Sequence, residues 1–270
     1  MRYSDAVRVA PPGAAHFQPE DLLRLDRWAL GLLLSGGPGA LPPSDVRASL
    51  SDAAWRTLLS RLPTGLSAQL TRSEPAPDAK AASERVVAGA FWLLVYGLEP
   101  ERWDALSRSE SIPPGLLEAL PPADRVLEVA AGSGRLTCVL ESRAETLIAI
   151  EPSRPLEVVL RSRTAAAKVV AGVGQALPIR SGWADLTVSC ASFGPDAPFG
   201  GPGILAEMER CTRRGGTVAL VGPESPAWFE GKGYRAQRFE PLRLETPAEL
   251  AGFFGPRLTP PCDLLLKKIE

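Results

Sequence analysis

Two acidic residues and a short glycine loop are the part of this sequence with the clearest capacity for chemistry. Glu128 lies near the end of an apolar run, and Gly132 and Gly134 follow in a stretch of small residues. Glu151 stands 23 residues after Glu128, at the end of a second apolar run. Carboxylates accept hydrogen bonds from hydroxyl or amino groups, and residues with little side chain let a ligand approach the backbone. The spacing therefore predicts a nucleotide-type binding site.

The elements that must position these residues form an alternating pattern in the second half of the chain. Apolar β-branched runs predict strands, and amphipathic stretches between them predict helices. The predicted strands are 125–129, 146–150, 167–170, 185–190, 217–221, 236–244 and 263–269, and the helices are 136–143, 155–163, 204–213 and 247–254. Alternation of this kind predicts a parallel sheet with helices on both faces. Both acids would then lie at the carboxyl edge of one sheet.

The first half of the chain shows helical patterns and no convincing strand before residue 124. Helices are predicted from Pro19 and from Ser44 to Leu62, and a long one is capped by Asp78. Residues 66–77 read as a loop, and short helices are expected within 100–111 and at 116–120. The pair Pro121-Pro122 marks the expected boundary. We therefore predict a helical domain over 1–120 and a sheet domain over 121–270.

Composition narrows the possible functions. The formal net charge is −1, which argues against a chain built mainly to bind nucleic acid. Four scattered cysteines and the single histidine, His16, predict no metal site. The amino terminus lacks the apolar core of a signal peptide, and the longest apolar run, Val86–Leu98, is shorter than the ~20 residues of a membrane span. We expect a cytoplasmic protein that does not bind membranes.

The stretch from Arg125 to Arg135 resembles motif I of the class I S-adenosylmethionine-dependent methyltransferases. The resemblance covers residues 124–270 and implies a Rossmann-like, mostly parallel sheet of seven strands whose last strand is antiparallel. It implies that Glu128 lies near the methionine end of the cofactor and that Glu151, followed by Pro152, accepts hydrogen bonds from the ribose hydroxyls. The family's loop has three alternate glycines. Here Ala130 replaces the first, a mild departure if its backbone conformation is ordinary, while the other two are kept as Gly132 and Gly134.

Three further segments extend the resemblance. Residues 172–179 resemble the family's Gly-Asp-Ala-x-x-Leu-Pro-Phe segment beside the adenine, with Val173 in place of the aspartate, followed by Gly174. A backbone carbonyl or Gln175 could substitute for that acceptor, or the adenine could be held more weakly. Residues 207–216 resemble the structural run before strand five. The fourth strand ends near Ser192, and no Asp/Asn-Pro-Pro-Tyr/Phe tetrad, the mark of nucleic-acid or protein amide methylation, follows it.

The resemblance implies methyl transfer from S-adenosylmethionine, and we expect a small-molecule acceptor. The cofactor-binding residues would be Glu128, Ala130, Gly132, Gly134, Glu151, Pro152, Val173, Gly174 and Ser192. No general base is identified, and Tyr96, Asp196 and Glu224 are the polar candidates. Arg135 either faces the cofactor carboxylate or, as we prefer, is a solvated helix residue. The helical half would serve as a lid, a pocket wall or the surface of a homodimer.

Two other functions compete with this interpretation. A dinucleotide-dependent oxidoreductase would require a third glycine in GxGxxG, where this chain has Thr137. A methyltransferase fold without catalysis, acting as a binding or regulatory protein, is the stronger alternative, because Val173 and the undistinguished end of strand four depart from the family pattern.

Overall fold

The computed structural model describes residues 18–25, 27–34, 40–192, 194–195, 201–223, 225–240, 247–254 and 262–270. The chain divides into two compact units, one of Met1–Glu99 with Ala248–Pro256 and the other of Pro100–Pro247 with Arg257–Glu270. This division falls earlier than the boundary expected at residue 120. The reason is that Leu116 and Leu120 are buried in one apolar cluster with Val126 and Leu147 of the sheet, so the helices just before the sheet pack with it.

The helical unit contains a 3₁₀ segment and six α-helices within its described residues. Their bounds are Pro19–Arg24 (3₁₀), Arg27–Leu34 (α1), Pro43–Ser49 (α2), Asp52–Arg61 (α3), Thr64–Leu70 (α4), Ala79–Leu98 (α5) and Ala248–Phe254 (α11). A bidentate ion pair joins α2 to α5, because Arg85 donates from Nε and Nη2 to the two carboxylate oxygens of Asp45, each at 2.8 Å. Asp45 is buried, so this pair fixes the packing of the two helices.

Two predictions for this unit were wrong. The helix predicted over Ser44–Leu62 is interrupted at Leu50, because Ser51 caps a new helix by accepting a hydrogen bond from the amide of Ala54 at 3.2 Å. The segment 66–77, predicted as a loop, begins with the end of helix α4. The cap at Asp78 is confirmed, since its side chain accepts from the Ala81 amide at 3.0 Å.

The sheet unit contains seven strands in the order β3-β2-β1-β4-β5-β7-β6. Their bounds are Arg125–Val129 (β1), Thr146–Glu151 (β2), Lys168–Ala171 (β3), Ala184–Cys190 (β4), Thr212–Val221 (β5), Arg235–Arg238 (β6) and Asp263–Lys268 (β7). The helices of the unit are Pro100–Ser109 (α6), Pro114–Ala119 (α7), Thr137–Leu140 (α8), Arg154–Arg163 (α9) and Pro202–Cys211 (α10), with a 3₁₀ turn at Pro226–Phe229. Strands β1 to β5 pair in parallel, and β7 runs antiparallel to both β5 and β6. The predicted mostly parallel sheet with an antiparallel last strand is confirmed.

The main differences in the sheet unit lie at element ends. The predicted helix 136–143 is only Thr137–Leu140. Helix α10 ends at Cys211 and β5 begins at Thr212, whereas a helix to Arg213 was predicted. Thr212 leaves the helix because its hydroxyl lies 2.7 Å from that of Thr187 on β4, and its backbone pairs with Ala184. The predicted strand 236–244 is observed as Arg235–Arg238, and 241–246 lie outside the described residues.

The sheet is buried on both faces, which explains its continuous apolar runs. Leu127 and Val129 of β1 pack into a cluster on one face, and Val126 packs into a cluster on the other. Because side chains alternate along a strand, Glu128 points to the same face as Val126. The Glu128 carboxyl is therefore buried between the sheet and the chain segment that follows the glycine loop.

Among the described residues, no single helix has both the length and the apolar character of a membrane span. By length and composition only, the bent pair Ala79–Gly97 and Pro100–Ser109 meets those criteria together.

Candidate cofactor site

The glycine loop leaves the carboxyl end of β1 at the point where the strand order reverses. Strand β1 lies between β2 and β4, and ligands of open α/β sheets bind in the crevice at such a switch point. Ala130, Gly132 and Gly134 have φ values of 58°, 59° and 100°. The loop is thus a tight turn built from left-handed residues.

Ala130 departs from the expectation that its backbone would be ordinary. It lies in the left-handed region, which costs a residue with a Cβ on the order of 1 kcal/mol. Ala191, just after β4, has a φ of 46°. Within the described ranges these two are the non-glycine residues with positive φ, and both follow adjacent strands at the same edge of the sheet. Backbone strain of this kind concentrates at functional sites.

Glu151 fixes the shape of the loop from the end of β2. Its Oε2 accepts a hydrogen bond from the Gly132 amide at 2.7 Å, and its Oε1 accepts one from the Ser153 amide at 2.7 Å. The side chain is buried, and this burial raises its pKa to about 7 against the opposing effect of the two amides. Each carboxylate oxygen keeps a further lone pair after these bonds. The carboxylate can therefore hold the loop and accept two hydroxyl groups at once.

Glu128 is the more deeply buried acid, with 1% of its surface exposed. Thr137 donates from its hydroxyl to Glu128 Oε2 at 2.6 Å. Burial raises the pKa of Glu128 to about 8, and nearby Glu151 raises it further, while Thr137 and Arg135 oppose the shift. The carboxyl is consequently mostly protonated at neutral pH and remains able to compensate a cation placed beside it.

Arg135 is not a solvated helix residue, so that preferred expectation was wrong. Its Nη1 donates to Glu110 Oε2 at 2.8 Å, and the two side chains are 11% and 12% exposed. Burial raises the pKa of Glu110, and Arg135 opposes that shift. The guanidinium is committed to an ion pair within the protein and leaves the cofactor carboxylate to other groups.

Helix α6 lies against the other side of the loop, and sequence reasoning missed its contribution. Arg163, at the end of α9, donates from Nη1 to Asp104 of α6 and to the Ser133 carbonyl, the latter at 3.0 Å. A Cβ built on Gly132 would lie 3.6 Å from Nε1 of Trp103. The sequence offers only a weak signal for these residues, because Trp103 and Asp104 precede the first strand and belong to no motif.

The segment after β3 is held by helix α10. Glu207 accepts from the Leu177 amide at 2.8 Å, and Arg210 donates to the carbonyls of Leu177 and Ile179 at 3.2 and 2.9 Å. The Val173 carbonyl accepts from the Ala176 amide at 3.1 Å. At Gly174 an added Cβ would lie 2.9 Å from two side-chain carbons of Ile204, so packing requires glycine there.

The end of β4 is joined to the end of β1 by a serine pair. Ser189 donates to the Val129 carbonyl at 2.8 Å, and its hydroxyl contacts that of Ser192. The structure thus brings Ser192 to the same edge as the glycine loop, where Pro152 is exposed directly after Glu151. Among the general-base candidates, Tyr96 lies on α5 of the helical unit, and Asp196 and Glu224 lie outside the described residues.

These residues fit S-adenosylmethionine. Glu151 offers two acceptor positions for the ribose hydroxyls, and Gly132 has no side chain that would obstruct the cofactor. Ser133 Oγ is buried without a hydrogen-bond partner among the described residues, an arrangement that favours a polar group nearby. Within the described part of the chain, no group of three or more His, Cys, Asp or Glu residues could hold a metal ion.

Comparisons with known proteins agree with this geometry. Residues 127–220, from β1 to β5, match a family model described as a methyltransferase domain. A search of curated proteins finds no match.

Solved structures with similar folds include three that show the range of the likeness. One is an S-adenosylmethionine-dependent methyltransferase from Thermotoga maritima, described as a possible histamine N-methyltransferase, at 17% identity over 64% of this chain and 95% of that one, with a TM-score of 0.42. Another, from Aquifex aeolicus, is 15% identical over 64% and 97% of the two chains, with a TM-score of 0.47. A third, an amino pentose methyltransferase from Micromonospora echinaspora with bound S-adenosylmethionine, is 19% identical over 53% and 58%, with a TM-score of 0.35.

These structural likenesses are distant, so the family match and the paired acids around the glycine loop carry the assignment. Residues 127–220, which are 94 of the chain's 270 residues, therefore match a methyltransferase domain.

Proposed function

We propose that this chain is a class I S-adenosylmethionine-dependent methyltransferase that transfers a methyl group to a small-molecule acceptor and holds its cofactor between Glu151 and the glycine loop. The observation that carries the binding site is the contact of Glu151 with the Gly132 amide at 2.7 Å. That contact joins the loop backbone to the carboxylate that would bind the ribose.

The acceptor class is supported by charge and by the end of β4. The chain has 30 basic and 31 acidic residues, a balance that provides little attraction for a polyanion. Cys190, Ala191 and Ser192 stand where the tetrad of nucleic-acid and protein amide methyltransferases would follow β4. Small residues at that position leave room for an acceptor and favour no particular planar amide or base.

The cofactor, when bound, supplies an electrophilic methyl group on a sulfonium sulfur. The chain's part is to hold both reactants close and in line, a contribution that reaches several kcal/mol in well-oriented reactions. Glu151 would accept the ribose hydroxyls. Glu128, buried beside the loop, would compensate the positive charge at the methionine end after losing its proton to solvent. Val173 and Gly174 would line the adenine edge, and Ser192 would close the site from β4.

A non-catalytic binding role is the second candidate. It is favoured by Val173, whose side chain offers no hydrogen-bond acceptor to the adenine amino group and whose carbonyl already accepts one hydrogen bond, from the Ala176 amide. A binding protein of this kind would hold the cofactor and produce no S-adenosylhomocysteine.

The test combines binding with turnover. Calorimetric titration with S-adenosylmethionine and S-adenosylhomocysteine measures binding, and release of S-adenosylhomocysteine is then followed with panels of small amines, phenols and carboxylic acids, with mixed RNA and with unfolded protein as comparison substrates. Turnover with a small molecule and none with RNA or protein is the expected result. Methylation of RNA or protein alone would overturn the acceptor class, and binding with no turnover on any panel would favour the second candidate.

A further inference from the structure

Helix α6 is attached to the glycine loop at two points. Arg163 connects Asp104 to the Ser133 carbonyl, with a distance of 3.0 Å to the carbonyl. Glu110, one residue beyond the helix, pairs with Arg135 at 2.8 Å. One attachment is inside the loop and the other directly follows it. The loop and the segment 100–110 are therefore held as one piece.

Both attachments involve charged side chains that are largely buried. Asp104 is 8% exposed, and the Glu110 and Arg135 side chains are 12% and 11% exposed. Charges removed from water to this degree are retained only where partners compensate them, and such pairs enforce a single geometry. The loop needs such support because it contains the strained residue Ala130.

Trp103 is the side chain that this geometry brings to the loop. Its Nε1 lies 3.6 Å from the position that a Cβ on Gly132 would occupy. The Gly132 amide donates to Glu151, the proposed ribose ligand, at 2.7 Å. The half-buried indole of Trp103 therefore lies beside Gly132, the residue whose amide bonds to Glu151. Its neighbour Asp104 is the group that Arg163 holds.

We propose that Trp103 forms a wall of the cofactor site and contacts bound S-adenosylmethionine, and that Asp104 and Arg163 are positioning residues that hold this wall against the loop. The inference rests on the proposed cofactor site. It adds to that site a specific aromatic contact from outside the family-matched segment.

The experiment measures binding of S-adenosylhomocysteine to the full chain by calorimetry and by tryptophan fluorescence. Trp103→Ala should raise the dissociation constant about tenfold, and Trp103→Phe, which keeps an aromatic face, about threefold. Trp183→Phe is the matched control, because Trp183 immediately precedes β4 and lies at the opposite edge of the sheet. The fluorescence change on binding should persist in Trp183→Phe and diminish in Trp103→Phe.

The positioning role has its own control. Arg163→Gln should weaken binding about threefold, Arg163→Lys should restore part of it, and Asp104→Asn combined with Arg163→Gln should be no worse than the poorer single variant. Arg108→Gln should have no effect, because Arg108 contacts the same carboxylate at 3.1 Å from a mostly exposed position and is not attached to the loop.

The outcomes separate this inference from the proposed site. Wild-type affinity in both Trp103 variants, with an undiminished fluorescence change, would overturn the wall. Equal effects of Arg108→Gln and Arg163→Gln would overturn the positioning role. Absence of binding in the wild-type chain would instead overturn the cofactor site, and the inference with it. Melting temperatures of the unliganded variants show whether a loss of affinity reflects unfolding.

Discussion

The Gly132 amide donates a hydrogen bond to Glu151 Oε2 at 2.7 Å, across a sequence separation of 19 residues. This bond closes the glycine loop onto the end of the neighbouring strand, and the second oxygen of the same carboxylate accepts from Ser153. Two sequence features that resemble separate family motifs are thus parts of one hydrogen-bonded unit.

Ala130→Gly should stabilise the protein. Ala130 has a φ of 58°, where a Cβ is unfavourable and glycine is not. We expect the free energy of unfolding in urea to rise by about 1 kcal/mol.

The control for that variant is Ala144→Gly, which lies outside the loop and has no positive φ. It should leave stability unchanged or lower it. A loss of stability in Ala130→Gly equal to that in Ala144→Gly would contradict the strained conformation.

Stability should fall as pH rises from about 4.5 to about 8. In this window the native state retains a proton on Glu128, whose pKa is raised to about 8, whereas the unfolded chain has released it. The native state therefore binds more protons, and raising the pH favours unfolding. Glu151, with a pKa of about 7, contributes in the same direction over the lower part of the window.

Thermal unfolding at a series of pH values measures this effect. Glu128→Gln removes the titrating group and keeps a hydrogen-bond acceptor for Thr137, so its melting temperature should depend less on pH than that of the wild type. Identical pH profiles for the two proteins would show that Glu128 titrates normally.

Glu110→Ala should cost about 2 kcal/mol in the free energy of unfolding, because it leaves the Arg135 guanidinium buried without its carboxylate. The exposed acid Glu118 provides the matched comparison, and Glu118→Ala should change stability by less than about 0.5 kcal/mol. Denaturation in urea measures the free energy of unfolding of both variants and of the wild type. Equal small effects would mean that the ion pair is solvated in solution.

Val173→Asp should tighten cofactor binding. The substitution restores a side-chain acceptor at the position that resembles the adenine-binding aspartate, a hydrogen bond of about 1 kcal/mol, which corresponds to roughly fivefold in affinity for S-adenosylhomocysteine. S-inosylhomocysteine, which has no amino group on the purine, should gain nothing. A similar change for both ligands would place the adenine elsewhere.

The positions of the strands were predictable from the sequence because hydrophobic runs and turn residues alternate clearly after residue 124, and the resemblance implied the antiparallel last strand, but the order of the strands in the sheet was not predicted. Glu128 and Glu151 could be placed at strand ends for the same reason. Thr137 was noticed only as a missing glycine, although its hydroxyl binds Glu128 at 2.6 Å. Ser51 was missed as a helix cap because the apolar pattern continues across it.

The contacts of α6 were beyond sequence reasoning for a different reason. Asp104 and Arg163 are 59 residues apart and lie on helices whose charged residues look like ordinary solvated positions. Only the packing of α6 beside the loop makes them partners. The left-handed conformation of Ala130 was equally hidden, since alanine is compatible with many ordinary turns.

The most direct test of the cofactor site is the affinity of S-adenosylhomocysteine for Glu151 variants, measured by calorimetry on the full chain. Glu151→Ala should weaken binding about 100-fold, because charge-assisted hydrogen bonds of this kind contribute about 1.5–3 kcal/mol each. Glu151→Gln, which keeps one acceptor and most of the shape, should weaken it by less, and the exposed Glu145→Ala should leave it unchanged. An unchanged dissociation constant in a folded Glu151→Ala protein would contradict the assignment of this edge of the sheet as the cofactor site.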